Sequence, residues 1–166
     1  MFKRLFFAVT LIFAGQAFAS YATVDMQMAL ETIKDGVKAK AKLEKEFKEK
    51  QTMLKAKEEE IKKITDNYRK QQSAMSEQKR AQKEQEIQGK MMEFQNTMQQ
   101  AQMQMQQREM QLTKPIVESL RTTIKEVAEK SKLELVYEKN QSGIFYSKDA
   151  KDITNDVIKR YNEVHK

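Results

Sequence analysis

Phe47, Leu54, Ile61, Tyr68 and Met75 recur every seven residues, and the chain's one proline is not met until position 115. A seven-residue apolar repeat held this long points to α-helix. At 3.6 residues per turn, every seventh side chain returns to nearly the same face. The complementary heptad position carries Leu43 and Ile64, but also Lys50, Lys57 and Gln71. The seam is therefore narrow and half-populated, enough for one partner helix and too little for burial on all sides. A second repeat, Ile87, Met91, Phe94, Met98, Ala101, Met105, Arg108 and Leu112, advances by alternating steps of four and three, with Arg108 interrupting its apolar character. Between the two seams lies the polar stretch SAMSEQKRAQKEQE. Two heptad helices flanking a polar tip read as a long antiparallel helical hairpin, an arm over residues 26–112. Each limb would be about 75 Å long at 1.5 Å per residue. The alternative is one continuous helix in an extended coiled coil.

Only 39% of the 166 residues are apolar and 33% are charged, with four glycines. Such a composition suits helix and coiled coil better than an ordinary globule. It predicts that apolar surface is buried mainly against copies of the same chain rather than in a private core. The segments flanking the arm, 20–25 and 113–166, read as a body. YATV leans towards β-structure, and Asp25 is placed to cap the helix from Met26, which should run to about Met75 with only Gly36 against it. Thr113-Lys114-Pro115 should punctuate the returning helix, by a new cap or a kink. LELVY alternates as a strand, EKNQSG is a turn, and IFYS reads as a second strand completing a β-hairpin. DITNDVIKRYNEV closes as a short amphipathic helix. The fold class expected is mainly α with a small β part. Three short strands have open edges, and self-association into a barrel-like core would cover them. Val24, Leu133, Leu135, Ile144 and Tyr146 are the candidate oligomerisation residues.

Residues 1–19 have a basic start at Lys3 and Arg4, an apolar run from Leu5 to Ala14, and an Ala17-Phe18-Ala19 ending. This is the pattern of a secretory signal peptide cleaved after Ala19. The exported chain has no cysteine, so thiol, disulfide and Cys-metal chemistry are excluded. The net charge is +7, or +5 once Lys3 and Arg4 leave with the signal peptide, and on an exported protein it points to acidic polypeptides or anionic lipid rather than nucleic acid.

No constellation supports catalysis, a metal or a cofactor. The single histidine, His165, stands next to the C-terminal residue, and the carboxylates alternate with lysine as on a solvated helix face. The arm offers two candidate surfaces. Met91, Met98 and Met105 belong to the seam, whereas Met53, Met92, Met103 and Met110 fall off it, among uncharged glutamines. Flexible, polarisable thioethers suit loose, non-selective apolar contact, so these four are the candidate client-binding residues. Arg69, Lys70, Lys79, Arg80 and Lys83 make the tip basic, suited to acidic clients or anionic headgroups.

The ends of the chain resemble the Skp/OmpH family of periplasmic chaperones. The resemblance rests on YATVDMQMAL after the signal, and on PIVESLRTTIKEVAEKSKLELVYEKNQSGIFYSKDAKDITNDVIKRYNEV, with Asp152-Ile153-Thr154, Val157-Ile158 and Asn162 in order. The middle is similar in length, charge and helical character. It departs in its abundance of Met and Gln, and in Ser131-Lys132 where the family often has a glycine turn. What the resemblance implies is a periplasmic homotrimer with a β-barrel-like body. Three helical hairpins hang from it as tentacles around a cavity that holds unfolded outer-membrane proteins soluble without ATP. The other classes left open are an envelope adaptor coiled coil and a protein binding anionic lipid or lipopolysaccharide.

Overall fold

The computed structural model describes residues 20–165; the expected signal peptide and its cleavage site lie outside the described residues. β1 (Tyr21–Val24) alternates, with Ala22 and Val24 turned into the core. Asp25 ends it and caps α1 (Met26–Thr32), its carboxylate accepting from the Met28 N–H at 2.8 Å. The long helix expected from Met26 then breaks at Ile33, which adopts an extended ψ of 149° before α2 (Lys34–Gln71) begins. Sequence reasoning placed the weak point at Gly36, three residues late. Gly36 makes the break possible rather than forming it. Its α-carbon lies against the end of α1, where an added Cβ would stand 1.7 Å from the Leu30 carbonyl oxygen. Ile33 has no side chain able to cap α2, so the cap comes from elsewhere. Asn162 accepts from the Lys34 N–H at 3.1 Å.

A single 3₁₀ turn (Gln72–Ala74) reverses the chain, and Ser76 caps α3 (Glu77–Lys130). The antiparallel hairpin is thus the observed topology, and the continuous-helix alternative is set aside. Its two helices would measure about 57 and 81 Å at 1.5 Å per residue. The expected interruption at Thr113–Pro115 does not occur, and α3 runs through Pro115 without a new cap. Proline normally costs a helix an N–H and a steric clash one turn back. Here Leu112, Ile116 and Leu120 pack into the body on either side of it, and tertiary packing outweighs the local preference.

After α3 the chain gives β2 (Leu135–Glu138), a twelve-residue crossover, β3 (Lys151–Asp152) and α4 (Thr154–Val164). β1 is central, with β2 and β3 on either side, both parallel to it. Tyr21 faces Leu135 and Ala22 faces Lys151. The expected β-hairpin is therefore wrong. Ile144–Ser147 forms no strand within the chain, and the third strand lies further on, at the far edge. A parallel partner needs a long crossover rather than a tight turn, and the turn over EKNQSG opens that crossover.

Ile153, Val157, Ile158 and Tyr161 from α4 pack with Ala22, Val24, Ala29, Ile33, Leu120 and Val127. The expectation that the chain lacks a private core needs correction, because a small one closes within the chain. It draws Ala29, Ile33 and Ala39 from the stretch read as arm. Its polar side is stitched at the C-terminal end of the sheet. Asp152 accepts from the Thr154 N–H at 2.9 Å and hydroxyl at 2.6 Å, and the Thr154 oxygen accepts from the Asp25 N–H at 2.9 Å. These bonds hold the Asp152 carboxyl below the usual carboxylate range, the Thr154 hydroxyl contributing most.

Candidate functional site

The arm is a two-helix ladder in which, among the described residues beyond the body, Ala101 alone is buried. The half-buried residues Leu54, Ile61 and Ile64 on α2 meet Ile87, Phe94 and Met105 on α3. Charged residues occupy the seam as well. Lys57 reaches Glu93 and Lys90 reaches Glu60, each at 2.7 Å, and the Arg108 guanidinium contacts both oxygens of Glu46 at 3.1 Å. The Lys57 bond holds Glu93 below its ordinary range, and the Glu60 bond raises Lys90. Such exposed pairs fix which residues face one another more than they add stability. Across the tip, the Tyr68 hydroxyl donates to Glu84, which pushes the phenol pKa up.

This register displaces three residues that the heptad pattern put in the seam. Phe47 is 57% exposed, Met91 51% and Met98 49%. The reason is geometric. A pair of helices has only one line of closest approach, and on or beside it lie Lys57 and Lys90 with their ion-pair partners and Lys50, which donates to the Gln104 amide oxygen at 2.9 Å. Phe47 and Met98 are left on the flank, where they join Leu54, Ala101 and Met105 to line an open groove of about 960 Å³. Sequence reasoning missed this groove. The available signal was the pair Lys50 and Lys57 standing between Leu43 and Ile64 at the second heptad position.

Met92, Met103 and Met110 are exposed at 63%, 48% and 61%. Steps of eleven and seven residues, at about 100° per residue, return to within about 20° of one direction, so the three share one stripe of α3. Relative to Phe94 and Ala101 that stripe points away from α2. Met53 is exposed too, but sits on α2 and does not join the stripe. The chain reversal brings Arg69 and Lys70, at the end of α2, beside the start of α3, where Lys79, Arg80 and Lys83 stand. All five are exposed, and Lys83 is paired with Glu86 at 2.6 Å.

The body candidates divide. Val24 is enclosed by its own chain at 3% exposure, and Leu133 packs against the same core. Leu135, Ile144 and Tyr146 are exposed, with Phe145 beside them. His165 stacks on Tyr161 with ring centroids 4.1 Å apart. Burial raises the Tyr161 pKa, helped by Asp35, which accepts its hydroxyl at 3.2 Å. Among the described residues no cluster of His and carboxylate side chains could hold a metal, and no helix is long and apolar enough to cross a membrane.

The family profile described as Outer membrane protein (OmpH-like) matches residues 20–161. The chain belongs to the OmpH-like family. That match runs from β1 into α4, so it spans both the arm and the body rather than the helical repeat alone. The fold is similar to a crystal structure from Caulobacter crescentus CB15, of a protein assigned as an OmpH-like outer membrane chaperone. The TM-score is 0.75 at 17% identity, over 96% of this chain and 92% of that one. No curated protein matches the sequence.

Proposed function

We propose that this OmpH-like protein is an ATP-independent periplasmic holdase that keeps unfolded outer-membrane proteins from aggregating. The observation that carries this reading is the arm. It is long and closed by a minimal ion-paired seam, and its Phe47, Met98 and outer methionines are left exposed. A single folded partner calls for a shaped pocket. A solvated, flexible apolar surface suits many unfolded sequences held weakly. Export by the expected signal peptide would deliver the chain to the periplasm.

The working assembly is a homotrimer with a shared barrel-like body. β2 and β3 each present an open edge, and parallel sheets seldom stay uncovered. Leu135 on β2 stands exposed, as do Ile144 and Tyr146 in the crossover between β2 and β3. Three arms would then surround the client. The basic tip supports a second role in approaching anionic lipid or lipopolysaccharide.

Diluting an unfolded outer-membrane protein from urea, with and without this chain, tests the holdase reading by light scattering. Suppression at near-equimolar trimer supports it. Undiminished aggregation refutes it. Co-sedimentation with anionic vesicles in the absence of client tests the lipid role.

A further inference from the structure

The arm's methionines also carry reactive sulfur. Met92, Met103 and Met110 expose it on one face of α3, where the neighbouring side chains Asn96, Gln99, Gln106 and Gln107 are uncharged and Lys114 follows one turn beyond Met110. An exported chain without cysteine has no thiol to intercept an oxidant first. No two methionines in the chain lie three or four residues apart, so no helical turn pairs two thioethers as ligands for a soft cation. Oxygen transfer is the chemistry left open to them.

We propose that Met92, Met103 and Met110 form an oxidation-sensitive site that switches the outer face of the arm from apolar to polar. A hydroperoxide is the reactant. A sulfur lone pair attacks one peroxide oxygen, the S–O bond forms and the O–O bond breaks. Sulfur loses two electrons to become the sulfoxide, and hydrogen peroxide leaves as one water carrying both protons. A methionine sulfoxide reductase restores the thioether with two electrons and two protons, again releasing water. The sulfoxide is polar and strongly hydrated, so it no longer offers dry contact to an apolar client segment. The hairpin itself survives the change, because Phe94, Ala101 and the Lys57–Glu93 and Arg108–Glu46 pairs lie on other faces of α3. Half-buried Met75 and Met105 serve as slower internal references. The consequence for clients rests on the holdase reading.

The test treats the protein, purified after export, with hydrogen peroxide. It follows each methionine by peptide mass mapping, the fold by circular dichroism, and client protection by light scattering. Beside it stands the triple variant Met92→Leu, Met103→Leu, Met110→Leu, which keeps apolar character and helix propensity without sulfur on the stripe. The three stripe residues should each gain about 16 Da before Met75 and Met105 do. The treated parent should melt like the untreated one while its client affinity falls about tenfold, and the treated variant should keep its affinity. Stripe residues oxidised no faster than Met105 would overturn the proposal, as would a treated parent that protects client in full. Equal loss in the treated variant would place the effect elsewhere and overturn it too. Failure of the untreated parent to protect client would instead remove the holdase reading, and the switch with it.

Discussion

Replacing Gly36 by alanine adds one methyl group, and its effect can be worked from two contacts. The new Cβ would lie 1.7 Å from the Leu30 carbonyl oxygen and 2.9 Å from its carbonyl carbon. Ordinary carbon–oxygen contact is about 3.4 Å or more, so α1 or α2 must move by more than an ångström. Backbone, unlike a side-chain tip, cannot rotate away. α1 carries Ala29 and leads into Ile33, both fully buried, so the shift opens the core that α4 closes. Overpacking typically costs 1–3 kcal/mol, and a forced backbone shift belongs at about 3 kcal/mol. Alanine recovers about 1 kcal/mol through helix propensity, leaving a net loss of about 2 kcal/mol. For a chain of this size that lowers Tm by about 4–8 °C. Gly89→Ala is the internal control, because a Cβ there meets nothing within 4 Å. It should stabilise by about 0.5–1 kcal/mol. Thermal and urea unfolding of both variants, followed at 222 nm, gives the comparison. Equal shifts of the same sign for the two glycines would refute the steric account and with it the break at Ile33.

Met103→Gln with Met110→Gln should leave the thermal melt near the parent's, because glutamine has a similar helix propensity and the seam is untouched, while affinity for an unfolded client falls. Met98→Gln should behave likewise rather than destabilise the hairpin, given its position on the groove. A melt lowered by more than about 1 kcal/mol would return Met98 to the seam. Leu135→Asp should lower the oligomer mass in sedimentation velocity while helicity is kept, whereas Val24→Asp should unfold the body itself, since its side chain is enclosed by its own chain. Asp152 and Asp25 both have folded pKa values lowered by the hydrogen bonds they accept, from Thr154 and from the Met28 N–H respectively. Their contribution is complete above the unfolded aspartate value of about 3.9 and is lost as pH falls through the lowered folded values. Asp152→Asn should flatten the melting temperature below about pH 4 relative to the parent. An identical acid dependence in the two would show that the cap at Thr154 does not sense protonation.

The hairpin was legible because heptad spacing is a long, redundant signal, and so was the cap at Asp25. The body was harder to read. β3 is two residues long and pairs across the sheet with β1, a contact that no local pattern around Lys151-Asp152 announces. IFYS has the composition of a strand and lies exposed in the crossover, because strand propensity says nothing about which neighbour is present. Pro115 misled for the opposite reason, since a local breaker was overridden by the core contacts of Ile116 and Leu120. In the arm, the periodicity gave the right pair of helices and the wrong line of contact. Phe47 and Met98 repeat with the seam residues, yet a shift of one position around the helix puts them outside.

That shift explains how an arm this long can be closed by charged residues and still offer apolar surface. If Phe47, Met91 and Met98 closed the seam, the hairpin would bury those three side chains and leave its apolar exposure to the off-seam methionines. Instead the line of contact takes the small Ala101, the half-buried Leu54 and Ile61, and ion-paired lysines whose stems cover the apolar atoms beneath them. The displaced Phe47 and Met98 line a groove, and Met92, Met103 and Met110 line the opposite outer face of α3, with glutamine spacing them apart. An extended chain lying along the outer face would touch one methionine after another. The ion pairs hold the register that keeps this division. Breaking Arg108–Glu46 should therefore alter which methionines are exposed before it alters how much helix remains.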